Sequence, residues 1–583
     1  MERKQLEEYF KKAKEYEKRG TVSQIIDNYY GLAEMVIKRD NQVDLGLEIG
    51  IAGREYILKQ LKSQGYTFKS AEEYVQEKKI KNGFIDAYYD FLRLVAPYDL
   101  DSYMLYVEKE RMRRDRFYEP RRKTLQKVCK GLQRLEDDKL DELFIHMPAR
   151  TGKSQMITMY STWHCARDTE KSNLYVTYKE GLGSAFLDGF VEIMTDPTYL
   201  FKDVFPDVII TDSDAKNNKL DLGTSKKRTK KYKSISGKGL ESGLNGEYDA
   251  YGVLICDDVL AGVEDVLSDE VLKRKKTIFD NNVMSRPKEN CKKIYNGTIW
   301  ATNDIFMDRL EFLETSPDAV GTRWDVIKIP ALDPETDETN FDYDYGVGYS
   351  TKYWRMRRSK FEMNNDLAGW FSQCQQEPID RTNALFRPED MNYYSVLPSD
   401  EPVKVISHID VALGGADYLA MPVAYYYEDE DGSLVGYVED VVFDNAEKHV
   451  TEPEVISKVK KHQIKNLHVE ANAGGEGYAD DIRRLLKEDG YKQICNITTG
   501  FAPVTKRKQQ RIWDNAEAIR KLYFKDPQHR DKQYNAFMNN LFGFSLNMRK
   551  RAHDDAPDSL SGLVDFERDG SGITMATVTG SWI

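Results

Sequence analysis

The chain has 583 residues, 31% of them charged and 40% hydrophobic, with a formal net charge of −12. That length points to several domains, no apolar run approaches the ~20 residues of a membrane helix, and the N-terminus lacks the apolar core of a secretory signal. The six cysteines form no CxxC pair, which argues against a disulfide framework or a zinc site, and the acidic balance argues against a uniform nucleic-acid coat while leaving room for local basic patches.

Residues 1–115 read as helical: Ile25, Tyr29, Leu32, Met35 and Val36 recur at helical spacing among charged residues. The expected role is packing or interaction. From about residue 116 to 333 short apolar strands alternate with helices. ELFIHM, NLYVTY, GVLICD and KKIYNGTIW are the strands, and the alternation predicts a parallel α/β sheet. An acidic, tyrosine-rich stretch opens a linker or lid at 334–395. A second α/β unit occupies 396–583. Its early strands, VKVISHIDVAL, MPVAYYY and LVGYVEDVVF, predict a mixed sheet, and helices are expected at 477–489 and 505–523.

Met147-Pro148-Ala149-Arg150-Thr151-Gly152-Lys153-Ser154 follows a strand and opens a helix. This is the context of a phosphate-binding loop, in which backbone N–H groups and a helix N-terminus cradle an anion. Pro148 to Ser154 are the candidate nucleotide-binding residues. Lys153 is expected to reach the β/γ-phosphates and Ser154 to ligate Mg²⁺, although Met147 stands where the usual first glycine would be. The matching acids end the strand Val253–Asp257: Asp257 for Mg²⁺ and Asp258 to polarise water, with Glu264 or Asp265 as possible helpers. Asp is one methylene shorter than the usual Glu. Cys256, on the opposite strand face, is expected in the core.

The order of the remaining motifs resembles phage terminase large subunits. IYNGTIWATNDIFMDRL resembles their coupling motif, placing Thr298, Trp300, Asn303 and Asp304. GKGLESGLNGEYDAYGVLICDD resembles their approach to the acidic strand, and CQQEPIDRTNALFRPEDM their link between two domains. Tyr118, Pro120, Arg121 and Gln126 fall where an adenine-contacting segment is expected, and Arg150 matches the family's internal loop arginine, a candidate catalytic residue in cis. The resemblance covers roughly residues 118–570 and implies a P-loop ATPase domain followed by an RNase H-like nuclease domain with three spaced acids. These are Asp410, Glu470 and one of the run Asp554-Asp555-Ala556-Pro557-Asp558, with Asp555 preferred and Asp558 able to substitute or assist. Asp417 is a weaker candidate, and His408 and His553 read as structural neighbours. Lys506, Arg507 and Arg511 match the family's basic helix. Three distant carboxylates suit two-metal phosphodiester cleavage with Mg²⁺ or Mn²⁺.

DNA held without sequence readout needs cations aimed at phosphates. Lys226, Lys227, Arg228, Lys230 and Lys231 lie in a run with six cations in eight residues, and Arg549, Lys550 and Arg551 adjoin the last acids. Arg355-Met356-Arg357-Arg358 reads more simply as a solvated helix face. The resemblance implies ATP-driven movement of double-stranded DNA into a procapsid and cutting of concatemers. Its partners would be a portal protein, a small terminase subunit and further copies in a ring, expected as a pentamer, in the host cytoplasm and outside the finished virion. A host helicase–nuclease and a non-catalytic docking protein are the alternatives. The first calls for further helicase motifs, which are not found, and metal titration tests the second.

Overall fold

The computed structural model describes residues 1–583 apart from 225–229, 244–247, 364–365, 379–384, 413–416, 430, 472–473, 501–507, 545–553 and 571–583. The chain divides into two compact units, Met1–Pro378 and Ile379–Ile583. The division falls inside the 334–395 stretch read as a linker, so residues 1–333 and the start of that stretch share the first unit.

The first unit begins with six helices, Arg3–Tyr16, Val22–Lys38, Val43–Ser63, Phe68–Lys78, Gly83–Val95 and Leu100–Val107. Their boundaries are set by local chemistry. Thr21 and Gln24 form a capping box, and the Asn82 side chain accepts from the N–H groups of Phe84 and Ile85. Gly53 lets two of these helices close: a Cβ there would lie 2.4 Å from the Phe91 ring. A buried ion cluster ties the Phe68–Lys78 helix to the segment after Val107, where Glu72 meets Arg113 and takes a 2.8 Å bond from Arg116.

The sheet of this unit contains β1 (Glu142–His146), β2 (Asn173–Thr177), β3 (Ile209–Asp214), β4 (Lys219–Gly223), β5 (Ile235–Gly239), β6 (Val253–Asp257), β7 (Lys292–Gly297) and β8 (Trp324–Lys328). Their order is β3-β4-β5-β2-β6-β7-β1-β8, parallel from β5 to β8 and antiparallel at the β3–β4–β5 edge. The sheet is therefore mixed at one edge, where a parallel one was expected. The helix Lys153–Arg167 is buried nearly all round, Thr158, Ser161, Thr162 and His164 included, because it is covered on several sides. Trp163 Nε1 donates to Ala96 O at 2.8 Å, which packs this helix against the N-terminal helices in one continuous core.

The second unit holds β9 (Asn392–Tyr394), β10 (Lys404–Ile409), β11 (Leu419–Glu428), β12 (Leu434–Asp444), β13 (Asn466–Glu470), β14 (Asn496–Gly500) and β15 (Tyr523–Lys525), in the order β14-β13-β10-β11-β12-β15-β9. β10, β11 and β12 form an antiparallel meander, and β13 and β14 add in parallel beside β10. This is the mixed sheet of an RNase H-like fold. Hydrophobic clusters lie on both faces: one involves the helices Lys508–Lys521, Lys532–Gly543 and Asp555–Gly570, the other Lys448–Lys461 and Gly475–Glu488.

Candidate active sites

The loop after β1 turns through Arg150 (φ 63°) and Gly152 (φ 104°) into the Lys153–Arg167 helix. Gly152 suits this left-handed position, and a Cβ there would also press on Phe117 at 2.9 Å. Thr151 Oγ1 donates to Pro148 O at 2.7 Å and closes the loop. Pro148 is buried, whereas Ala149, Arg150 and Ser154 face solvent. Lys153 is buried, and its Nζ donates to Met147 O (2.8 Å), Pro148 O (3.2 Å) and Thr298 Oγ1 (3.1 Å).

β7 lies between β1 and β6, so the end of β7 reaches both motifs. Thr298 supplies the link: its hydroxyl takes the Lys153 bond, and its N–H donates to Asp258 Oδ1 at 3.1 Å. Asp257 is buried and takes 2.6 Å bonds from Tyr175 OH and Asn296 Nδ2. Burial, then the neighbouring Asp258 charge, pushes its carboxyl up to about 6, against bonds from Tyr175 and Ser154. Asp258 has φ 43°, and Gly297 leaves room for its carboxylate, since a Cβ there would lie 2.9 Å from Oδ1. Asp265 is held by Ala261 N and Lys275 Nζ, each at 2.7 Å, while Glu264 is exposed on a short helix. Asp304 caps the helix Ile305–Thr315 and takes the Trp300 N–H at 2.8 Å, fixing the turn that carries the exposed Asn303.

The adenine-contacting segment lies on the helix Tyr118–Glu136. Tyr118 and Pro120 are buried, and the Tyr118 hydroxyl donates to Asp101 at 2.6 Å, so these two belong to the core. Arg121 donates to Phe117 O and Val347 O, and Gln126 is half-buried.

In the second unit, Asp410 follows β10, Glu470 ends β13 and Asp558 sits in the first turn of Asp555–Gly570. Each offers a carboxylate oxygen within 4.8 Å of the others. The third member is thus Asp558 in place of the preferred Asp555. The helix turns Asp555 towards the Tyr418 N–H, which donates to its Oδ2 at 3.1 Å. Asp417 is exposed. Burial raises the Asp410 carboxyl above the usual range, and the charges of Asp558, Glu470 and Asp555 add to this while Lys508 opposes it. Burial raises Asp558 to about 6 against Lys508 and Arg511. Converging carboxylate oxygens whose charged forms burial and mutual repulsion disfavour fit a hard divalent ion such as Mg²⁺ or Mn²⁺.

His408 is buried between Glu470, whose Oε2 lies 4.0 Å from its Nε2, and Gly562, where a Cβ would come within 2.2 Å of the same nitrogen. It stacks on His468 at 5.3 Å, and burial pushes its imidazole down to about 3, which keeps it neutral.

Of the residues assigned to DNA, Lys226, Lys227, Arg228, Arg549, Lys550 and Arg551 lie outside the described residues, as do Lys506, Arg507 and His553. Lys231 is exposed. Lys230 is not available to DNA: its side chain is 9% exposed, pairs with Asp221 at 3.2 Å and donates to Leu222 O at 2.6 Å. Arg355 and Arg358 both pair with Asp337 at 2.8 Å. Tyr175, Asn296 and Lys508 were not anticipated. The only sequence signal for Lys508 is its place one helical turn before Arg511.

No protein-family model matches the chain, and no curated protein matches it. Solved structures similar to it include phage packaging proteins, and over 29% of this chain a Thermus thermophilus RuvC at 15% identity, covering 97% of that one with a TM-score of 0.18. They include the large terminase of a thermophilic bacteriophage, at 12% identity, covering 77% of this chain and 99% of that one with a TM-score of 0.28. The HK97 bacteriophage large terminase is similar at 10% identity, 74% and 94% coverage and a TM-score of 0.30. The Phi-28 gp11 DNA packaging motor matches at 10% identity, 72% and 97% coverage and a TM-score of 0.25. The fold assignment rests on the chain's own strand order.

Proposed function

We propose that this chain is the large subunit of a phage-type terminase, an ATP-driven translocase of double-stranded DNA joined to a metal-dependent endonuclease. The observation that carries the reading is Thr298, which touches the phosphate-loop lysine through its hydroxyl and Asp258 through its backbone. An inserted strand whose end contacts both halves of a nucleotide site can convert hydrolysis into movement of the segment beyond it, here Trp300 and the Asp304-capped helix.

In this reading Lys153 neutralises the transferred phosphoryl group, and Asp258 orients the attacking water. Arg150, exposed at the loop's apex, adds positive charge in cis. Ser154 and Asp257 would hold Mg²⁺, which supplies charge stabilisation on the phosphates. Asp410, Glu470 and Asp558 would hold the nuclease metal, with Asp555 supporting from beside Tyr418. Lys231, with Lys226, Lys227 and Arg228, would contact DNA phosphates. The partners are double-stranded DNA, a portal protein, a small terminase subunit and copies of the chain in a pentameric ring, acting at the procapsid in the host cytoplasm. Among the described residues no helix is long and apolar enough to cross a membrane.

The test is displacement of a third strand bound to duplex DNA, run beside a strand-separation assay. The reading expects ATP-dependent displacement with the duplex left intact. Separation of the duplex strands would replace it with the helicase–nuclease reading.

A further inference from the structure

We propose, resting on the phosphate-loop reading above, that the N-terminal helical region is part of the nucleotide site: one face of the helix Phe68–Lys78 positions the wall on which the nucleoside lies, with Glu72 as the central positioning residue. Lys69, Glu72, Glu73 and Gln76 follow one another at i, i+3, i+4 and i+7, which puts all four on one face of that helix. Glu72, in the middle of this polar stripe, is 2% exposed. A buried polar stripe needs partners, and two distant segments supply them.

The first segment runs from Arg111 to Glu119. Glu72 meets Arg113 and takes a 2.8 Å bond from Arg116, and Arg113 also meets Glu119. Gln76 Nε2 donates to Arg111 O at 3.3 Å. The second is the turn Asp344–Gly346, beyond β8. Lys69 Nζ pairs with Asp344 at 2.6 Å and lies 4.9 Å over the Tyr345 ring, whose hydroxyl donates to Glu73. Tyr345 has φ 61°, a left-handed conformation that a tyrosine seldom adopts, so these contacts hold the turn against its own preference.

Both segments lead to the phosphate loop. The first continues into Phe117, whose ring lies against Gly152, and the Glu108 carboxylate takes the Phe117 and Tyr118 N–H groups at 2.9 and 3.0 Å. The Arg121 guanidinium sits 5.1 Å over the Phe117 ring and donates to Val347 O at 3.2 Å, two residues past Tyr345. A half-buried ring and a guanidinium plane beside a phosphate loop form a surface on which a nucleobase stacks. The helix Phe68–Lys78 grips the supports of this surface from behind. Holding them in place before binding strengthens nucleotide affinity without any contact to the phosphates.

The test measures ATP turnover by the full chain with Mg²⁺, with inorganic tripolyphosphate as a competitor that fills only the phosphate loop. The variants are Glu72→Gln and a Lys69→Ala, Glu73→Ala double substitution. In Glu72→Gln the KM for ATP is expected to rise on the order of 10-fold, with a much smaller change in kcat and with the Ki of tripolyphosphate as in the wild type. An unchanged KM would overturn the inference. An equal rise in KM and Ki would overturn it as well, because the helix would then support the loop as a whole and not its nucleoside side. Absence of ATP turnover in the wild type, or of competition by tripolyphosphate, would instead remove the phosphate-loop reading itself. Should Glu72→Gln fail to fold, the double variant, whose side chains reach solvent, decides the matter by the same two constants.

Discussion

At Lys153 three protein acceptors, Met147 O, Pro148 O and Thr298 Oγ1, hold the ammonium at the mouth of the phosphate loop. Replacing it by alanine removes a preorganised charge from the transferred phosphoryl group. ATP turnover in Lys153→Ala is expected to fall on the order of 10²–10³-fold or more, with circular dichroism unchanged. Retained turnover would remove the phosphate-loop assignment. Residues of this kind are legible in sequence because strand, loop and helix fix where they point. Asp257, Asp410 and Glu470 share that property, since each lies at or just past a strand end. Asp558 is different. Asp554, Asp555 and Asp558 crowd one turn, and the choice between them depends on how the helix is rotated against β10 and β13. Lys230 shows the same limit: nothing in a run of like charges marks the one that turns inward to Asp221.

At the scale of elements, the helix Lys448–Lys461 is pinned to β12 through Asp440. This carboxylate, 5% exposed, meets Lys458 at 2.6 Å and Lys461 and His462 at 2.7 Å. Asp440→Ala leaves the half-buried Lys458 and the buried His462 without their shared acceptor, and a loss of about 3–5 kcal/mol is expected, read as a lower melting temperature of the second unit. Burial alone would raise the Asp440 carboxyl, but the bonds from His462, Lys458 and Lys461 hold it far below its ordinary value. A carboxyl depressed in the folded state stabilises fully above its unfolded value of about 3.9 and loses that contribution as pH falls. Wild type and Asp440→Ala should therefore converge in stability as the pH drops below about 4. A difference that persists undiminished would contradict the ion-cluster account. This helix was not anticipated from sequence. Pro453 lies inside it, and a proline there masks the helical pattern. The parallel strands around the phosphate loop were legible because each is a short apolar run bounded by turn residues. The antiparallel β3–β4 edge was not, since its exposed polar residues carry no strand signal.

For the whole molecule, the two sites lie on separate compact units with separate cores. The units divide at Pro378, inside the stretch read as a linker, because Leu385, Phe386 and Met391 already pack into the second core. The linker reading took this in because it ran from the acidic, tyrosine-rich segment at 334–346 on to residue 395. Separate cores predict separable chemistries. Lys153→Ala should lose ATP turnover and keep metal-dependent cleavage, and Asp410→Ala should do the reverse.

The most direct test of the central claim is cleavage of supercoiled plasmid with Mg²⁺ or Mn²⁺, wild type beside Asp410→Ala, with ATP turnover measured on the same preparations. The account predicts cleavage by the wild type, its loss in Asp410→Ala and equal ATP turnover in both. Equal cleavage by the two proteins would contradict the carboxylate centre. Loss of both activities in Asp410→Ala would contradict the division into a motor and a nuclease.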